Sequence, residues 1–422
     1  MAEKTRFVFV SNYLNHHQIP FCKEMYRLLQ GDFVFIQTEP MEEERLRMGW
    51  QKPEDIAFLR LFYEEPEACR DMVLNAELVL FGGTDEEAYI EERLEAKKPV
   101  IRYSERLYKT GQWKAVSPRG LRKKYHDHTR HRNEAVYLLC AGAYVPSDFH
   151  IVRAYPDKMF CWGYFPETVR YDVDTLMNGK GAVNAAGERV PYLLWAARMI
   201  DWKHPDLPVK TAKYLKEKGL NFRMGIIGGG ALAGKVESLV EEYALSDCVE
   251  LLGFLSPKEV RGQMEQADIF LVTSDRQEGW GAVVNEAMNS GCAVVADHMI
   301  GAVPYLITHG RNGMVYRSGR EKELYTLTEQ LVRDESLRRE LGRHAYETIT
   351  GVWNAENAAQ SLLRLSVRLG LTEAPDTLKE TAQTKHFVTA LSPCGPAPVI
   401  SERKMYRFVH GTGTDQHHRT GL

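Results

Sequence analysis

The chain has 422 residues, 44% of them hydrophobic and 26% charged, which is enough to bury the cores of two domains of ordinary size. Its formal net charge of −3 argues against a nucleic-acid-binding protein that depends on overall positive charge. The seven cysteines are scattered, odd in number and form no C-x-x-C pair. A disulfide framework and a zinc site are therefore not expected, and a reducing compartment fits.

The N-terminal residues lead directly into a strand-like run, without the pattern of a signal peptide. No stretch approaches 18 uninterrupted apolar residues, so no spanning helix is expected. We therefore predict a cytoplasmic protein whose contact with membranes, if it makes any, is peripheral.

Short apolar runs alternate with helically spaced segments in the first half of the chain. The elements predicted there are strands at 6–10, 33–37, 78–81, 100–102 and 136–140, with helices at 20–30 and 85–96. Apolar strands that alternate with helices indicate a parallel sheet covered on both faces.

The second half of the chain repeats this alternation. The elements predicted there are strands at 192–196, 223–227, 249–252, 269–272 and 293–296, with helices at 210–218, 232–243 and 258–266. The predicted fold class is therefore α/β, with two doubly wound Rossmann-like domains.

A loop-like stretch divides the two halves, because residues 178–187 are rich in Gly and small polar side chains. Weak periodicity and scattered Pro, Gly, Thr and His set the end of the chain apart. The divisions predicted on this basis are a first domain over 1–165, a linker over 166–190, a second domain over 191–352 and a poorly ordered tail over 372–422.

Two glutamates, Glu278 and Glu286, are separated by seven residues, and a Gly-Trp-Gly turn between them leads into a predicted helix. Eight helical positions rise about 12 Å, roughly the reach from the sugar to the ribose of a nucleotide sugar. The helix N-terminus leaves N–H groups free to receive phosphate oxygens. Such a pair alone is usually a pair of solvated helix residues, but here it has an ordered context. That context is Ser274, Gly279, Gly281, Ala287, Met288, Gly291, the apolar run 293–296, Gly301, Pro304, Asn312 and Gly313.

This segment closely resembles the E-x7-E region of retaining glycosyltransferases of the GT-B fold, in the family four group. The resemblance is strongest over 192–352 and weaker over the first domain. It implies two Rossmann-like domains facing a central cleft that holds the nucleotide sugar. It also implies a helix that crosses back to the first domain, which we place at 353–371.

The resemblance also assigns roles to individual residues. Glu286 is expected to accept hydrogen bonds from ribose hydroxyls, and Glu278 to contact the transferred sugar near the reacting centre. Amides around Gly281 and Ala282 are expected to cradle the diphosphate. In the family the leaving phosphate takes the proton of the acceptor on the same face of the sugar; the residues alone leave double displacement open.

A departing nucleoside diphosphate needs stabilisation by a metal ion or by fixed cationic side chains. Arg198 and Lys203 follow the strand predicted at 192–196 and resemble the family's G-R-x…K-G element, so both are expected to face the diphosphate. We therefore expect no metal and no cofactor. The chain departs from this element at Ala197 and His204.

An alternative D-x-D motif, typical of metal-dependent transferases, occurs at Asp172 and Asp174. It falls in the predicted linker rather than at the end of a sheet strand. A solvated turn is expected there.

Two further loops resemble nucleotide-binding elements of the family. Gly228 and Gly229 stand at its G-x-G position, with a plain tight turn as the alternative. Gly253 and Phe254 end a strand that would border the nucleobase, and uracil and guanine both stay open. A further departure is Tyr305, because many relatives have Glu after the preceding Pro.

Contacts to the sugar or the acceptor are less sharply predicted in the first domain. The candidates are Asn12, His16, His17, Gly83, Ser104 and Glu105. The family's glycine-rich first loop is absent, and the two histidines either bind hydroxyl groups or cap the next helix. Ser104 or Glu105 is expected to substitute for a histidine that relatives carry after a first-domain strand.

The densest positive stretch is 119–132, RGLRKKYHDHTRHR. His126, His128 and His131 do not share one helix face and have no accompanying ligand pattern, so a metal site is not expected. A solvated helix face is the first expectation. The sharper hypothesis is contact with an anionic membrane or with a lipid diphosphate acceptor.

The sequence thus predicts a metal-independent, retaining, hexosyltransferase-type enzyme, located in the cytoplasm or at the inner face of the membrane. Its expected partners are a nucleotide sugar and a saccharide or lipid-linked acceptor in cell-surface polysaccharide synthesis, and no nucleic acid. Two alternatives stay open: a catalytically inactive GT-B binding protein and a nucleotide-sugar epimerase. The presence of Arg198, Lys203 and Glu278 together argues against an inactive protein.

Overall fold

The computed structural model describes residues 5–43, 45, 55–111, 117–184, 186–381 and 394. These residues form two compact units. Unit 1 takes the described residues up to Glu167 and those from Asn354 onward, and unit 2 takes Thr168–Trp353.

Unit 1 is built on a seven-stranded sheet in which every neighbouring pair is parallel. Its strands are β1 (Phe7–Ser11), β2 (Phe33–Gln37), β3 (Leu59–Leu61), β4 (Leu78–Phe81), β5 (Val100–Ser104), β6 (Val136–Ala141) and β7 (Met159–Trp162). The strand order is β3-β2-β1-β4-β5-β6-β7. All residues of β1 and β4 are buried, as expected of parallel strands covered on both faces.

Unit 1 also contains helices, and those at Ile19–Leu28, Pro66–Asn75 and Val145–Ile151 contact this sheet. The helices are Ile19–Leu28, Pro66–Asn75, Glu91–Glu95, Pro118–Lys124, Val145–Ile151, Ala355–Arg368 and Asp376–Thr381, with a 3-10 turn at Glu87–Tyr89 and a π-helical turn at Tyr125–Thr129. Ala355–Arg368 lies within the predicted 353–371 helix and packs against Ile19–Leu28. The predicted disordered tail is wrong at its start, since Asp376–Thr381 is helical; most of 372–422 lies outside the described residues.

Unit 2 is built on a six-stranded parallel sheet and a separate two-stranded antiparallel ribbon. The sheet strands are β10 (Tyr192–Ala196), β11 (Arg223–Ile227), β12 (Val249–Gly253), β13 (Ile269–Val272), β14 (Ala293–Asp297) and β15 (Met314–Tyr316), and the ribbon strands are β8 (Ala182–Val183) and β9 (Arg189–Val190). The sheet order is β12-β11-β10-β13-β14-β15.

The helices of unit 2 lie before, between and after these strands in the chain. They are Val173–Gly179, Asp206–Glu217, Ala233–Glu242, Pro257–Gln266, Ala282–Asn289, Val303–Leu306, Glu321–Arg333 and Glu335–Gly351, with a 3-10 turn at Asp201–Lys203. Three of them begin at a side-chain N-cap, at Asp172, Ser256 and Asp334, and Ser256 forms a capping box with Glu259.

Both sheets reverse their strand order at one place, between β1 and β4 in unit 1 and between β10 and β13 in unit 2. This is the doubly wound order, so the predicted α/β class with two Rossmann-like domains is confirmed. Ligands of such sheets bind beyond the carboxyl ends of the strands that flank the reversal. In unit 2 those ends lead to the segments that carry Lys203 and Glu278.

The prediction that residues 166–190 form a loose linker is wrong. From Thr168 onward this segment belongs to unit 2, and it contains the helix Val173–Gly179 and the β8–β9 ribbon. Asp172 is the N-cap of that helix and accepts a hydrogen bond from the Thr175 amide at 2.8 Å. Asp174 pairs with Arg343. The literal D-x-D motif is therefore helix capping and an ion pair.

Two other differences follow from local sequence. The helix predicted at 85–96 is interrupted, because only Glu87–Tyr89 and Glu91–Glu95 are helical. The strands β3, β7 and β15, which are three or four residues long, were not predicted.

A buried lysine explains why the former linker is ordered. The ammonium of Lys180 donates to the carbonyls of Ala267 (2.7 Å) and Ser290 (2.8 Å), which cap two helices, and more weakly to those of Met264 and Glu265. A cation at the C-terminus of a helix satisfies free carbonyls and opposes the helix dipole. Burial lowers the pKa of Lys180.

We predict that Lys180→Met lowers the free energy of unfolding of unit 2 by about 3 kcal/mol, because several buried carbonyls lose their donor. The control is Lys258→Met, at an exposed helix position, which should change stability by less than about 0.5 kcal/mol. Urea unfolding followed by circular dichroism measures both. Equal stability of the two variants would show that Lys180 is not a structural cap.

Candidate active site

The loops that follow β10 and β13 are joined by several contacts. The ammonium of Lys203 pairs with the carboxylate of Glu278, and their side chains are 12% and 13% exposed. The Asp275 amide donates to the carbonyl of Trp202 at 3.0 Å. The Thr273 hydroxyl donates to the carbonyl of Lys203 at 2.7 Å. Two predicted site residues that are 75 positions apart are therefore in direct contact.

Arg198 lies in the same loop as Lys203, and its side chain is exposed. Within the part of the chain that the structure describes, no hydrogen bond or ion pair of its guanidinium is found. Its five donors are thus available to an anion from solution. The ammonium of the neighbouring Lys203 is already paired with Glu278. An anion can therefore bind Arg198 directly, whereas at Lys203 it would share the ammonium with that carboxylate.

The helix Ala282–Asn289 begins directly after the Glu278 loop. Gly281 is its N-cap and has a φ of 93°, in the left-handed region that favours glycine. A Cβ there would lie 3.0 Å from Ile300 and 3.3 Å from the side chain of Glu278. Ala282 is the first residue of the helix, so the amides at this end lack intrahelical partners.

Glu286 lies on that helix and is partly buried. Burial raises the pKa of its carboxyl group, and the Arg261 guanidinium opposes this rise. Arg261 also donates to the backbone carbonyl of Glu286 (3.3 Å) and to the side chain of Asn289 (3.0 Å). Sequence reasoning missed Arg261, which binds the last turn of the helix.

The glycines after β11 are needed for close packing between loops. Gly228 has a φ of +126°, and a Cβ there would lie 2.0 Å from the carbonyl oxygen of Ala197. A Cβ on Gly229 would lie 2.5 Å from the ring of Phe254. Two backbone bonds hold the loops together, from the Gly228 amide to the Gly253 carbonyl and from the Met199 amide to the Gly229 carbonyl, each 2.8 Å. The loop is thus more than the plain tight turn offered as the alternative.

Phe254 is 69% exposed and follows Gly253, which has a φ of +63°. Its ring lies against the backbone of Gly229 at the carboxyl end of β12. An exposed aromatic ring on a glycine backbone forms a flat apolar surface. Such a surface suits the stacking of a planar base.

A buried aromatic group supports the turn between the two glutamates. Trp280 is fully buried, its indole N–H donates to Asn285 at 2.9 Å, and its ring stacks on Trp353 with centroids 5.5 Å apart. Tyr305 packs against both rings. The substitution of Tyr305 for the family's Glu is therefore explained by packing in this chain. In the sequence analysis, only the Gly-Trp-Gly turn pointed to this group of buried aromatic rings.

In unit 1 a polar cluster lies at the carboxyl ends of β1, β4 and β5. Gln18 donates to the hydroxyls of Ser11 and Tyr103, each at 3.2 Å, and Ser11 donates to Asn12 at 3.3 Å. A Cβ on Gly83 would lie 2.3 Å from the Ser11 hydroxyl. Burial raises the pKa of Tyr103 to about 12, so the whole cluster is uncharged at neutral pH. The sequence identified Asn12 and Gly83 but missed Ser11, Gln18 and Tyr103.

The other first-domain candidates have mixed outcomes. The N-cap of the first helix is Gln18, so the alternative that His16 or His17 caps it is wrong. Burial and then Arg45 lower the pKa of His16 to about 4, which makes this imidazole neutral. Ser104 donates to the carbonyl of Glu105 at 2.8 Å.

The carboxylate of Glu105 itself has two partners in unit 1. It accepts a hydrogen bond from the Tyr164 hydroxyl at 2.7 Å and pairs with Lys109. The negative charge of Glu105 is therefore already balanced by Lys109 within unit 1.

The basic stretch 119–132 is only partly a solvated helix face. His128 bonds the buried Tyr155 hydroxyl at 2.8 Å, and His131 bonds Glu134 at 2.7 Å. His126 lies beside Asp127. The three histidines thus have separate partners and form no common ligand set with one another. None of the described helices combines the length and hydropathy needed to cross a bilayer.

Comparison with known proteins finds a family that part of the chain is similar to. Residues 181–348 match the family described as "Glycosyl transferases group 1". The amylovoran biosynthesis glycosyltransferase AmsK of Erwinia amylovora is 30% identical over 149 residues, 34% of this chain and 36% of that protein. A D-inositol 3-phosphate glycosyltransferase of Corynebacterium aurimucosum is 27% identical over 159 residues, 36% of this chain and 37% of that protein. The match therefore spans little more than a third of the length of these two relatives.

Solved structures agree with the fold at low identity. HepE of Anabaena, crystallised with UDP, has a TM-score of 0.62 and 13% identity, and the match covers 84% of this chain and 97% of that one. A glycosyltransferase of Rickettsia africae has a TM-score of 0.59 and 13% identity over 91% of this chain and all (100%) of that one. These neighbours have the GT-B glycosyltransferase fold, which confirms the fold expected from the sequence.

We predict that Gly281→Ala lowers the free energy of unfolding by about 2–3 kcal/mol, from the positive φ and from crowding against Ile300 and Glu278. Gly219→Ala is the matched control, because its φ is +67° but nothing lies within 4 Å of the added Cβ. It should cost only about 1 kcal/mol. Urea unfolding compares them, and equal losses would refute crowding at Gly281.

Proposed function

We propose that this protein is a group 1 glycosyltransferase that moves a sugar from a nucleoside-diphosphate sugar to a saccharide or lipid-linked saccharide acceptor, with retention of anomeric configuration and without a metal ion. The whole-protein activity is a proposal because the matches to curated relatives cover about a third of their length. The amylovoran relative supports a role in cell-surface polysaccharide synthesis. HepE, which was crystallised with UDP, supports a nucleoside diphosphate as ligand.

The observation that carries the proposal is the contact between Lys203 and Glu278 where the strand order of unit 2 reverses. A cation and a carboxylate are held side by side, and the N-terminus of Ala282–Asn289 follows. Arg198, whose guanidinium has no partner among the described residues, lies in the same loop as the cation. Positive groups there suit a diphosphate, and the carboxylate suits sugar hydroxyls.

The proposed donor contacts follow from this arrangement. The diphosphate binds Arg198, Lys203 and the amides at Gly281 and Ala282. The base stacks on Phe254. Glu286 accepts hydrogen bonds from the ribose hydroxyls, in a partly buried position where few water molecules compete.

In the proposed reaction the bond from the anomeric carbon to the phosphate oxygen breaks, and the acceptor oxygen bonds that carbon from the same face. The proton of the acceptor hydroxyl passes to the leaving phosphate oxygen, so the products are the glycoside and the nucleoside diphosphate. Fixed cations stabilise the charge that develops on the leaving group. Glu278 contacts the transferred sugar, and no protein nucleophile is needed.

The polar cluster of unit 1 suits recognition of an acceptor rich in hydroxyl groups. Ser11, Asn12, Gln18 and Tyr103 offer uncharged donors and acceptors at the reversal point of that sheet. Glu105 is paired within the unit, so we assign it no acceptor role, although Ser104 and the neutral His16 and His17 stay candidates.

The donor-site prediction is tested by calorimetric titration with UDP, GDP, ADP, CMP and their common sugar conjugates, with and without EDTA. We expect one nucleoside diphosphate to bind, unaffected by EDTA. Glu286→Ala should weaken that binding by about tenfold, since one charged hydrogen-bond acceptor is lost. Glu278→Gln should leave it nearly unchanged and reduce sugar transfer strongly.

Different failures have different meanings. Equal binding and transfer by the wild type and both variants would contradict the site. Loss of binding in EDTA would contradict metal independence. Binding without transfer to any acceptor would indicate an inactive protein, and release of an altered nucleotide sugar would indicate an epimerase.

We also propose that the enzyme works in the cytoplasm at the inner face of the membrane, with the basic stretch 119–132 on anionic lipid. Arg119, Arg122 and Lys123 are exposed on the helix Pro118–Lys124 and its continuation. Two large apolar side chains lie among them, Leu121 at 44% and Tyr125 at 60% exposure. Clustered cations with exposed apolar groups are the composition of an interfacial helix.

The lipid prediction is tested by sedimentation with vesicles of phosphatidylcholine alone or mixed with phosphatidylglycerol. The wild type should bind only the anionic vesicles, and 0.5 M salt should release it by screening. Arg119→Glu/Arg122→Glu should abolish binding, because it reverses two charges in the stretch. The control, Arg320→Glu/Lys322→Glu, makes the same reversal at exposed positions of unit 2 and should bind as the wild type. Equal loss in both variants would show a non-specific charge effect.

A further inference from the structure

His204 has a backbone conformation that its side chain disfavours. Its φ and ψ are 48° and 59°, the left-handed region, at the position where the family element has glycine. A residue with a Cβ loses roughly 1–2 kcal/mol there relative to the right-handed form. A glycine would avoid this cost, so the imidazole is expected to contribute something in return.

The imidazole of His204 faces the loop that leads to Glu278. Its Nε2 lies 3.3 Å from the carboxylate of Asp275. The same carboxylate accepts the Gln277 amide at 2.8 Å, and the backbone carbonyl of Asp275 accepts the Glu278 amide at 3.0 Å. Asp275 therefore shapes the turn that presents Glu278.

Two consecutive basic side chains thus meet two carboxylates across the same pair of loops. Lys203 pairs with Glu278, and His204 pairs with Asp275. The second pair is the more exposed one, with side chains 41% and 25% exposed. The His204–Asp275 pair holds the loop after β13 at residue 275, and Lys203 holds the same loop at Glu278.

The charges around His204 favour its protonated form. The hydrogen bond to Asp275 raises the pKa of His204, burial opposes the rise, and Asp206 and Asp297 add to it; Lys203 is the neighbouring cation. Burial alone would raise the pKa of Asp275, but the hydrogen bonds from His204 and Gln277 lower it.

We propose that His204 is a positioning residue of the donor site, whose imidazolium holds Asp275 and thereby keeps Glu278 in register with Lys203. This inference rests on the proposed function. The residue does not touch the reacting atoms, and it acts through the Asp275 turn. The histidine makes donor binding depend on pH in a way that a glycine at this position does not.

The direction of that dependence follows from the two shifts. The pair is fully charged below the ordinary histidine pKa of about 6.5 and is lost as pH rises through the raised pKa of His204. At the acid end it is lost only below the ordinary range of aspartate. Donor affinity should therefore be highest near pH 6 and fall toward pH 9.

The test is calorimetric binding of UDP-glucose, with GDP-mannose as second probe, from pH 6 to pH 9; the diphosphate groups of these esters do not titrate in that range. Wild-type affinity should fall roughly three- to fivefold, the scale of a partly exposed ion pair. His204→Gln and Asp275→Asn should bind as weakly as the wild type at pH 9, with no pH dependence. His204→Gly should unfold no more easily than the wild type, because the backbone cost is relieved, yet it should bind like His204→Gln.

Ligand-free hydrogen exchange of the 275–281 segment keeps this inference separate from the donor assignment. After correction for intrinsic rates, the Glu278 amide should exchange several-fold faster in His204→Gln at pH 6 and equally in both proteins at pH 9. Equal exchange at pH 6, or a pH dependence of binding that survives in His204→Gln, would overturn the inference. Failure of both probes to bind together with the expected exchange would count against the proposed function alone.

Discussion

Parallel pairing of β10 with β13 is the constraint on which the candidate site depends. Leu193 lies beside Ile269 and Leu194 beside Phe270 in this register, so the loops that follow the two strands leave the sheet next to each other. The strands are neighbours because the sheet reverses its order here. Without that adjacency, a lysine and a glutamate 75 positions apart would have no reason to meet.

Backbone proximity extends the same site along the sheet. The glycines after β11 let three strand-end loops share backbone hydrogen bonds, and the ring of Phe254 lies on the backbone they expose. Two cations hold the C-terminal end of the helix that carries Glu286: the buried Lys180 binds the carbonyl at its C-cap, and the partly buried Arg261 binds its last turn. Rigid support on both sides suits a site that must hold charged ligand groups in fixed positions.

Much of the fold could be predicted because apolar strands of four or five residues give a clear pattern when both faces are buried. The segment of Glu278 and Glu286 was predicted separately, from its resemblance to the E-x7-E region of GT-B glycosyltransferases. Sequence reasoning failed where order comes from contacts distant in sequence. The Gly-rich segment near Lys180 looked like a loop because local composition does not show a lysine bonded to four carbonyls. His204 was interpreted only as a departure from the family element. Its interaction with Asp275 could not be predicted, because the two residues are 71 positions apart in the sequence.

A crystal structure of the protein with its preferred nucleoside diphosphate tests the central claim most directly. The account predicts diphosphate oxygens within hydrogen-bond distance of Arg198 and Lys203, ribose hydroxyls at Glu286 and the base against Phe254. A nucleotide bound away from the β10–β13 reversal, or a diphosphate held through a metal ion with Arg198 and Lys203 turned away, would contradict it.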